Sequence, residues 1–382
     1  MDDESARRAA PRTDFIDRLR VVLTALVIAH HVAITYGASG SWFYREVTDA
    51  VSPSSLLLTV LTAVDQAFFM GMFFLIAGYF TPGSWRRKGS ARFIGERVLR
   101  LGVPLLVFGF VLGPLSVALA GVPSGQPVIE RWLDMMVRAT FVMGPLWFAL
   151  ALLLFALGWV AWARLPVCPA RAVAAASSDE LPSWRTWLFS ALGVGAAALV
   201  IRQWVPVGQS VFGLQLGYFA SYVFLFALGC RAAAGRWLER VTARQAIGWG
   251  LVSAVTVPCL FVAAALAGAL EGRPVEFNGG LGAAAVVYAF WEPFVAWGVI
   301  AALLYVFRVR FNRPSERFAR WSGSAYAAFI VHAPIVVGLS VLAVRWQGPA
   351  LLKFAVVAAA STAISFWVAG LLRKIPGATR VL

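Results

Sequence analysis

The sequence is poor in the residues that soluble proteins place on their surfaces. Only 13% of its 382 residues are charged, whereas 60% are hydrophobic, which excludes a set of soluble domains. Acidic residues are scarcest: 18 Asp and Glu stand against 33 Lys and Arg, for a net charge of +15. The basic residues lie between apolar segments, where they orient membrane helices, so nucleic acid is excluded as a partner.

Cysteine is almost absent as well. The three that occur, Cys168, Cys230 and Cys259, do not have the spacing of metal ligands. Neither a disulfide framework nor a metal site is therefore expected. We expect the cysteines to be packing residues.

Ten segments reach the roughly 20 apolar residues that a bilayer requires. They lie at about 16–37, 55–80, 99–120, 144–163, 186–206, 211–230, 246–269, 280–307, 324–344 and 350–372. With the N-terminus inside, 26 of the 33 basic residues fall on the cytoplasmic side, as the positive-inside rule requires. The sequence predicts an all-α polytopic membrane protein with both termini cytoplasmic. One membrane domain fills 1–382, with cytoplasmic segments at 1–15, 164–185 and 373–382.

The first span carries two costly side chains on one face. Arg20 and His31 are eleven residues apart, which is almost three helical turns and about 16 Å along the axis. An ionisable group costs roughly 2.5 to 3.5 kcal/mol in a spanning helix, so it usually faces a protein interior or a wet cavity. Taken singly, Arg20 is interpreted as a topology anchor and His31 as a packing residue. Their alignment on one helix face favours a functional role for both.

Three other ionisable groups fall near mid-membrane in later spans. Asp65 lies in the second span, Glu292 in the eighth and His332 in the ninth. Glu292 is expected to face a polar cavity or to pair with a buried base. His332 is open to either a packing or a catalytic role.

Two segments outside the spans have simpler interpretations. Residues 42–44, Trp-Phe-Tyr, are expected to form an interfacial aromatic belt. The apolar spacing of VIERWLDMMVRAT, from Val128, predicts a short amphipathic helix on the outer surface.

The pattern of an arginine, ten residues and a histidine in the first span resembles the signature of the membrane-bound acyltransferase 3 family. Four further runs resemble that family in the right order: FFLIAGYF at 73–80, RFIGERVLRLGVPLL at 92–106, GPLWFALALL at 144–153 and SAYAAFIVHAPIV at 324–336. Family members acylate sugars, glycans and some small molecules, and the chain looks particularly like the glucan succinyltransferase branch. It departs from the pattern at Pro145, where a histidine often stands, so that histidine's role cannot be carried over.

The resemblance implies acyl-CoA as co-substrate, with no permanently bound cofactor. Arg97 and Arg100 are three residues apart and share a helix face. Their guanidinium groups are expected to bind the donor phosphates. Arg20 is expected to orient the donor.

His31 is expected to act as general base on an acceptor hydroxyl. Asp65 or Glu292 would hold its tautomer, and which of the two contacts it stays open. The residues expected to support this group are His30, His332 and Trp147.

A rival from another class is a proton-coupled transporter or exporter that uses the same buried groups as a relay, although no convincing internal repeat supports it. The expected partners are acyl-CoA, a glycan or other hydroxyl-bearing acceptor, and the bilayer of a bacterial inner membrane. A homo-oligomer and a partner protein that supplies acceptor binding both stay open.

Overall fold

The computed structural model describes residues 13–165 and 180–382, and the regular elements within those ranges are helices. Ten of these helices are long and apolar enough to cross a membrane. We label them α1 to α10 in chain order: Asp14–Thr35, Pro53–Lys88, Ser90–Ala120, Gly144–Ala163, Trp184–Ile201, Leu216–Gly235, Ala243–Leu266, Ala283–Phe311, Glu316–Arg345 and Ala350–Leu372. The prediction of an all-α, ten-span protein is confirmed. Most of the predicted segments 1–15 and 164–185 lies outside the described residues.

Helix α1 lies in the interior of the bundle. It packs on α2, α8, α9 and α10, and its apolar side chains, such as Leu19, Leu23 and Val27, are almost fully buried. A spanning helix surrounded by others has little lipid contact, so its polar side chains can face protein or water. This central position is what gives Arg20 and His31 neighbours on several helices.

Helices α2 and α6 approach each other at backbone distance through a pair of glycines. A Cβ atom on Gly78 would lie 2.1 Å from the Phe226 carbonyl oxygen, and one on Gly229 would lie 2.1 Å from the Leu75 carbonyl oxygen. Small residues permit such close packing in membranes, where van der Waals contact replaces the hydrophobic driving force. The α2–α6 pair is therefore closely packed, and α2 contacts α1 on another side.

The two ends of the bundle differ. We call the end where α1 begins and α10 ends the basic end; there the Phe15 amide donates to Asn312 Oδ1 at 3.3 Å and Arg18 donates to the Arg313 carbonyl oxygen at 2.6 Å. The opposite end carries the loop between α1 and α2. It also carries the predicted amphipathic helix, which is observed at Val128–Val137.

The cysteines meet different surroundings. Cys230 is buried, as expected of a packing residue, whereas Cys259 is exposed and its thiol donates to the Val255 carbonyl oxygen at 3.2 Å. The packing prediction is therefore confirmed for Cys230 and is wrong for Cys259. Cys168 lies outside the described residues.

Candidate active site

Two histidines from distant parts of the sequence meet at the centre of the bundle. His31 Nδ1 on α1 lies 3.0 Å from His332 Nε2 on α9, and the two rings are nearly parallel. His332 is fully buried, and its Nδ1 lies 2.6 Å from the Phe329 carbonyl oxygen. The alanines Ala327, Ala328 and Ala333 are buried along α9. Such small residues allow helices to pack closely.

This hydrogen-bond chain fixes the tautomers of both neutral rings. The Phe329 carbonyl can only accept, so His332 Nδ1 must carry its proton and His332 Nε2 must present a lone pair. That lone pair accepts from His31 Nδ1–H, at the 3.0 Å separation given above. His31 Nε2 is left unprotonated, which is the state a general base needs.

Asp65 lies beside His30 rather than His31. Its Oδ2 is 3.8 Å from His30 Nδ1, both side chains are buried, and neither of these two atoms has a hydrogen-bond partner among the described residues. The His30 ring meets the His31 ring edge-on, with centroids 5.6 Å apart. Asp65 is therefore one ring away from His31 and does not contact it.

Glu292 pairs with a cation that the sequence analysis did not single out. Its carboxylate accepts from Arg202, at the end of α5, and both side chains are buried. Arg202 also donates through Nε to the Gly217 carbonyl oxygen at 3.0 Å and lies 4.8 Å from the Tyr288 ring centroid. Of the two expectations for Glu292, the structure shows the buried ion pair. The carboxylate in mid-membrane was itself the sequence signal for a buried, positively charged partner.

Trp147 lies near Glu292's aromatic neighbours and not on the histidines. Its indole stacks on Tyr222 with centroids 5.6 Å apart. The Tyr222 hydroxyl in turn accepts from Gln66 Nε2 at 3.1 Å. Trp147 therefore belongs to an aromatic layer between α2, α4 and α6.

Trp42 covers His31 from the opposite end of the bundle. The indole and imidazole rings are stacked, with centroids 3.8 Å apart and planes 13° apart. The prediction of a simple interfacial belt residue is thus wrong for Trp42. The sequence carried no signal of this contact, because it depends on how the loop folds back.

The loop that carries Trp42 is held by several bonds. The Glu46 amide donates to the Thr35 carbonyl oxygen at 2.8 Å, and the Thr35 hydroxyl donates to the Tyr44 carbonyl oxygen at 3.2 Å. Lys353 of α10 pairs with the Glu46 carboxylate at 2.5 Å, and both side chains are largely buried. Trp42 is therefore held in place as a wall of the site.

A cavity of about 580 Å³ opens at the basic end and leads toward the histidines. Its deeper wall includes Thr24, Phe73 and Phe329, and the Phe329 ring packs against His332 with centroids 5.6 Å apart. The charged residues that line it are Asp17, Arg20, Arg97, Arg100 and Arg373. Four guanidinium groups against one side-chain carboxylate favour a ligand with several negative charges.

The structure brings together the three arginines predicted from the sequence. Arg97 and Arg100 lie where α3 changes from α-helix to a π-helical turn, Val98–Gly102, a local form that is frequent at functional sites. Arg20 Nη1 lies 3.6 Å from the Asp17 carboxylate, which also accepts from the Ser322 hydroxyl at 3.0 Å. Arg100 is close enough to Arg20 and Arg97 for their charges to repel one another. A bound anion would relieve that repulsion.

Comparison with known proteins gives two findings. The profile of the acyltransferase 3 family, described as an acyltransferase domain, matches residues 13–370. Proteins called glucans biosynthesis protein C in Salmonella paratyphi B, Salmonella heidelberg and Salmonella enteritidis are 35% identical to the chain over 97 residues. That stretch is 25% of this chain and 24% of each relative. No solved structure matches the chain.

Proposed function

Since the chain belongs to the acyltransferase 3 family, we propose that it moves an acyl group from acyl-CoA to a hydroxyl group of an acceptor. The observation that carries this proposal is the chain of contacts from His31 through His332 to the Phe329 carbonyl oxygen, beyond the deep wall of an arginine-lined cavity. From this chain we infer that His31 Nε2 is unprotonated. An anionic donor and a general base are the two things that such a transfer requires.

The donor enters from the basic end, with its phosphates on Arg97, Arg100 and Arg20 and its thioester directed to His31. The acceptor oxygen attacks the thioester carbonyl carbon while His31 Nε2 takes the hydroxyl proton. The tetrahedral intermediate then collapses, the carbon–sulfur bond breaks, and the imidazolium returns the proton to the CoA sulfur. The products are the acyl ester and CoA.

His332 performs the orienting task that the sequence analysis gave to a carboxylate. Its Nε2 lone pair accepts from His31 Nδ1–H, and this bond strengthens as His31 becomes an imidazolium. The nearby Asp65 charge favours the same cation through space. Glu292 holds Arg202 and the packing around it, and takes no part in the proton transfer.

We assign acceptor binding to the end of the bundle opposite the basic end, where Trp42 lies over His31. Indole rings offer a flat apolar face and an N–H donor, and Trp42 Nε1 is buried without a partner among the described residues. The relatives' name, glucans biosynthesis protein C, favours a glycan hydroxyl as acceptor. The resemblance to the glucan succinyltransferase branch favours an acetyl or succinyl group as the group transferred. By the positive-inside rule we expect the basic end to face the cytoplasm, and we expect the membrane to be a bacterial inner membrane.

The proposal is tested with membranes that contain wild type or His31→Ala at matched protein levels. Radiolabelled acetyl-CoA and succinyl-CoA are supplied, and label is followed into lipid-extractable and glycan fractions. We expect transfer by wild type that falls by at least about a hundredfold in His31→Ala, because general acid–base catalysis contributes 10²–10⁴. Equal transfer by both proteins would exclude His31 as the base. Proton flux without transfer would favour a transporter instead.

A further inference from the structure

Arg373 is a fourth cation of the cavity, and the sequence analysis assigned it only to the cytoplasmic tail. It follows α10 and lines the cavity from the side of α9. Its Nη1 makes only long contacts, 3.5 Å to the Arg320 carbonyl oxygen and 3.4 Å to Ser324 Oγ. Its Nε is buried and has no partner among the described residues. A buried guanidinium donor without a partner is costly, which indicates that a ligand completes its bonding.

A basic residue after a spanning helix is usually a topology anchor in contact with lipid head groups. The next residue, Lys374, fits that role because it is exposed and does not line the cavity. Arg373 differs because its side chain turns inward. Among the described residues, no Asp or Glu carboxylate lies within 4.0 Å of its guanidinium group.

The chain also leaves space for this inward side chain. A Cβ atom on Gly323 of α9 would lie 2.5 Å from Arg373 Nη1 and 2.9 Å from Arg373 Cζ. Any larger residue at this position would push the guanidinium group away. Gly323 therefore forms a slot for Arg373 in the cavity wall.

The cavity thus has cations from several helices. Arg20 projects from α1 and Arg97 and Arg100 from α3, whereas Arg373 lies against α9. A donor such as acyl-CoA carries a diphosphate and a separate ribose phosphate, so its nucleotide part presents phosphates in two places. We propose that Arg373 is a donor-binding residue that contacts a phosphate of the nucleotide part of acyl-CoA. This inference rests on the function proposed above and adds the α9 side of the cavity to the donor site.

The test measures CoA binding to the purified full-length protein by calorimetry, with phosphate-free S-acetylpantetheine as a comparison ligand. Arg373→Gln should weaken CoA binding by about tenfold or more, as expected for a lost hydrogen bond to a charged group. Lys374→Gln is the matched control and should stay within about twofold of wild type, since an exposed charge contributes little. Weak binding of S-acetylpantetheine should be the same in all three proteins, because it carries no phosphate.

Gly323→Ala provides an independent variant that keeps the charge. The added methyl displaces the Arg373 guanidinium group, so CoA binding should weaken toward the Arg373→Gln value, and the double variant should be no weaker than Arg373→Gln alone. Size-exclusion elution and thermal unfolding show whether each variant is folded.

Two results would overturn the inference while leaving the proposed function intact. One is CoA binding by Arg373→Gln equal to that of Lys374→Gln. The other is an equal loss of CoA and S-acetylpantetheine binding, which would mark a structural role. If the folded wild type binds no CoA, the proposed function itself fails, and the assignment of Arg373 fails with it.

Discussion

Removal of the His332 ring offers the sharpest test of the site, because His332 is expected to act through His31 and not on the substrate. In His332→Ala, His31 Nδ1–H loses the acceptor that lies 3.0 Å away. The site is buried, so the donor is left unpaired, which costs about 1–3 kcal/mol. This cost grows as His31 gains its proton in the transition state. Since 1.36 kcal/mol is a factor of ten, kcat should fall by about 5- to 150-fold.

The change should appear in kcat and leave the KM for acyl-CoA within about twofold, because an interaction made mainly in the transition state lowers the rate and not the binding. In the proposed function, the donor phosphates bind at Arg97 and Arg100, near the mouth of the cavity. Initial rates at saturating acceptor, measured against acyl-CoA concentration, separate the two constants. CoA affinity and size-exclusion elution report on folding.

His332→Gln is the matched control. The Gln side chain is long enough to place its amide oxygen near the former Nε2 position, where it can accept from His31 Nδ1–H. We expect it to recover most of the lost rate, to within about fivefold of wild type, in line with the smaller net contribution of one hydrogen bond. A folded His332→Ala protein with unchanged kcat would refute the orienting role. So would a His332→Gln protein that is as slow as the alanine variant.

Three further changes test the surrounding structure. Glu292→Gln should lower the free energy of unfolding by about 3–5 kcal/mol, because it leaves the buried Arg202 guanidinium group without its counter-charge. The double variant Arg202→Met with Glu292→Leu should recover much of the lost stability. Thermal unfolding in detergent measures both effects. Gly78→Val should abolish the folded α2–α6 pair, because its Cβ would overlap the Phe226 carbonyl oxygen, and size-exclusion chromatography would then show aggregation. Trp42→Ala should expose His31 to water and raise the hydrolysis of acyl-CoA relative to acyl transfer. Hydrolysis is measured as release of the CoA thiol in the absence of acceptor. Unchanged thiol release would mean that Trp42 does not shield His31.

The parts of the site that could be predicted from the sequence are those that a single helix defines. Helical geometry placed Arg20 and His31 on one face, and Arg97 and Arg100 on another, because the spacing along one helix is fixed. The cost of ionisable groups in lipid also indicated that Asp65, Glu292 and His332 had specific surroundings.

The pairings between helices could not be predicted in the same way. His31 meets His332 across 301 positions of the sequence, and Glu292 meets Arg202 across 90. Such pairs depend on helix order and rotation, which periodicity does not encode. Trp42 depends on a loop path and Arg373 on a side-chain direction. A basic residue at the end of a span looks the same in sequence whether it faces lipid or a cavity.

The stacking of Trp42 on His31 has an electrical consequence. The cavity is open at the basic end, whereas Trp42 and Phe329 pack on the rings of His31 and His332. Because His332 is buried, a charge on this pair is screened by ions less than a charge at the mouth of the cavity. One elementary charge moved through the full potential is worth about 2.3 kcal/mol per 100 mV. A proton that moves between one face of the membrane and His31 crosses only a part of that potential, so a corresponding part of this energy adds to or subtracts from the protonation of His31.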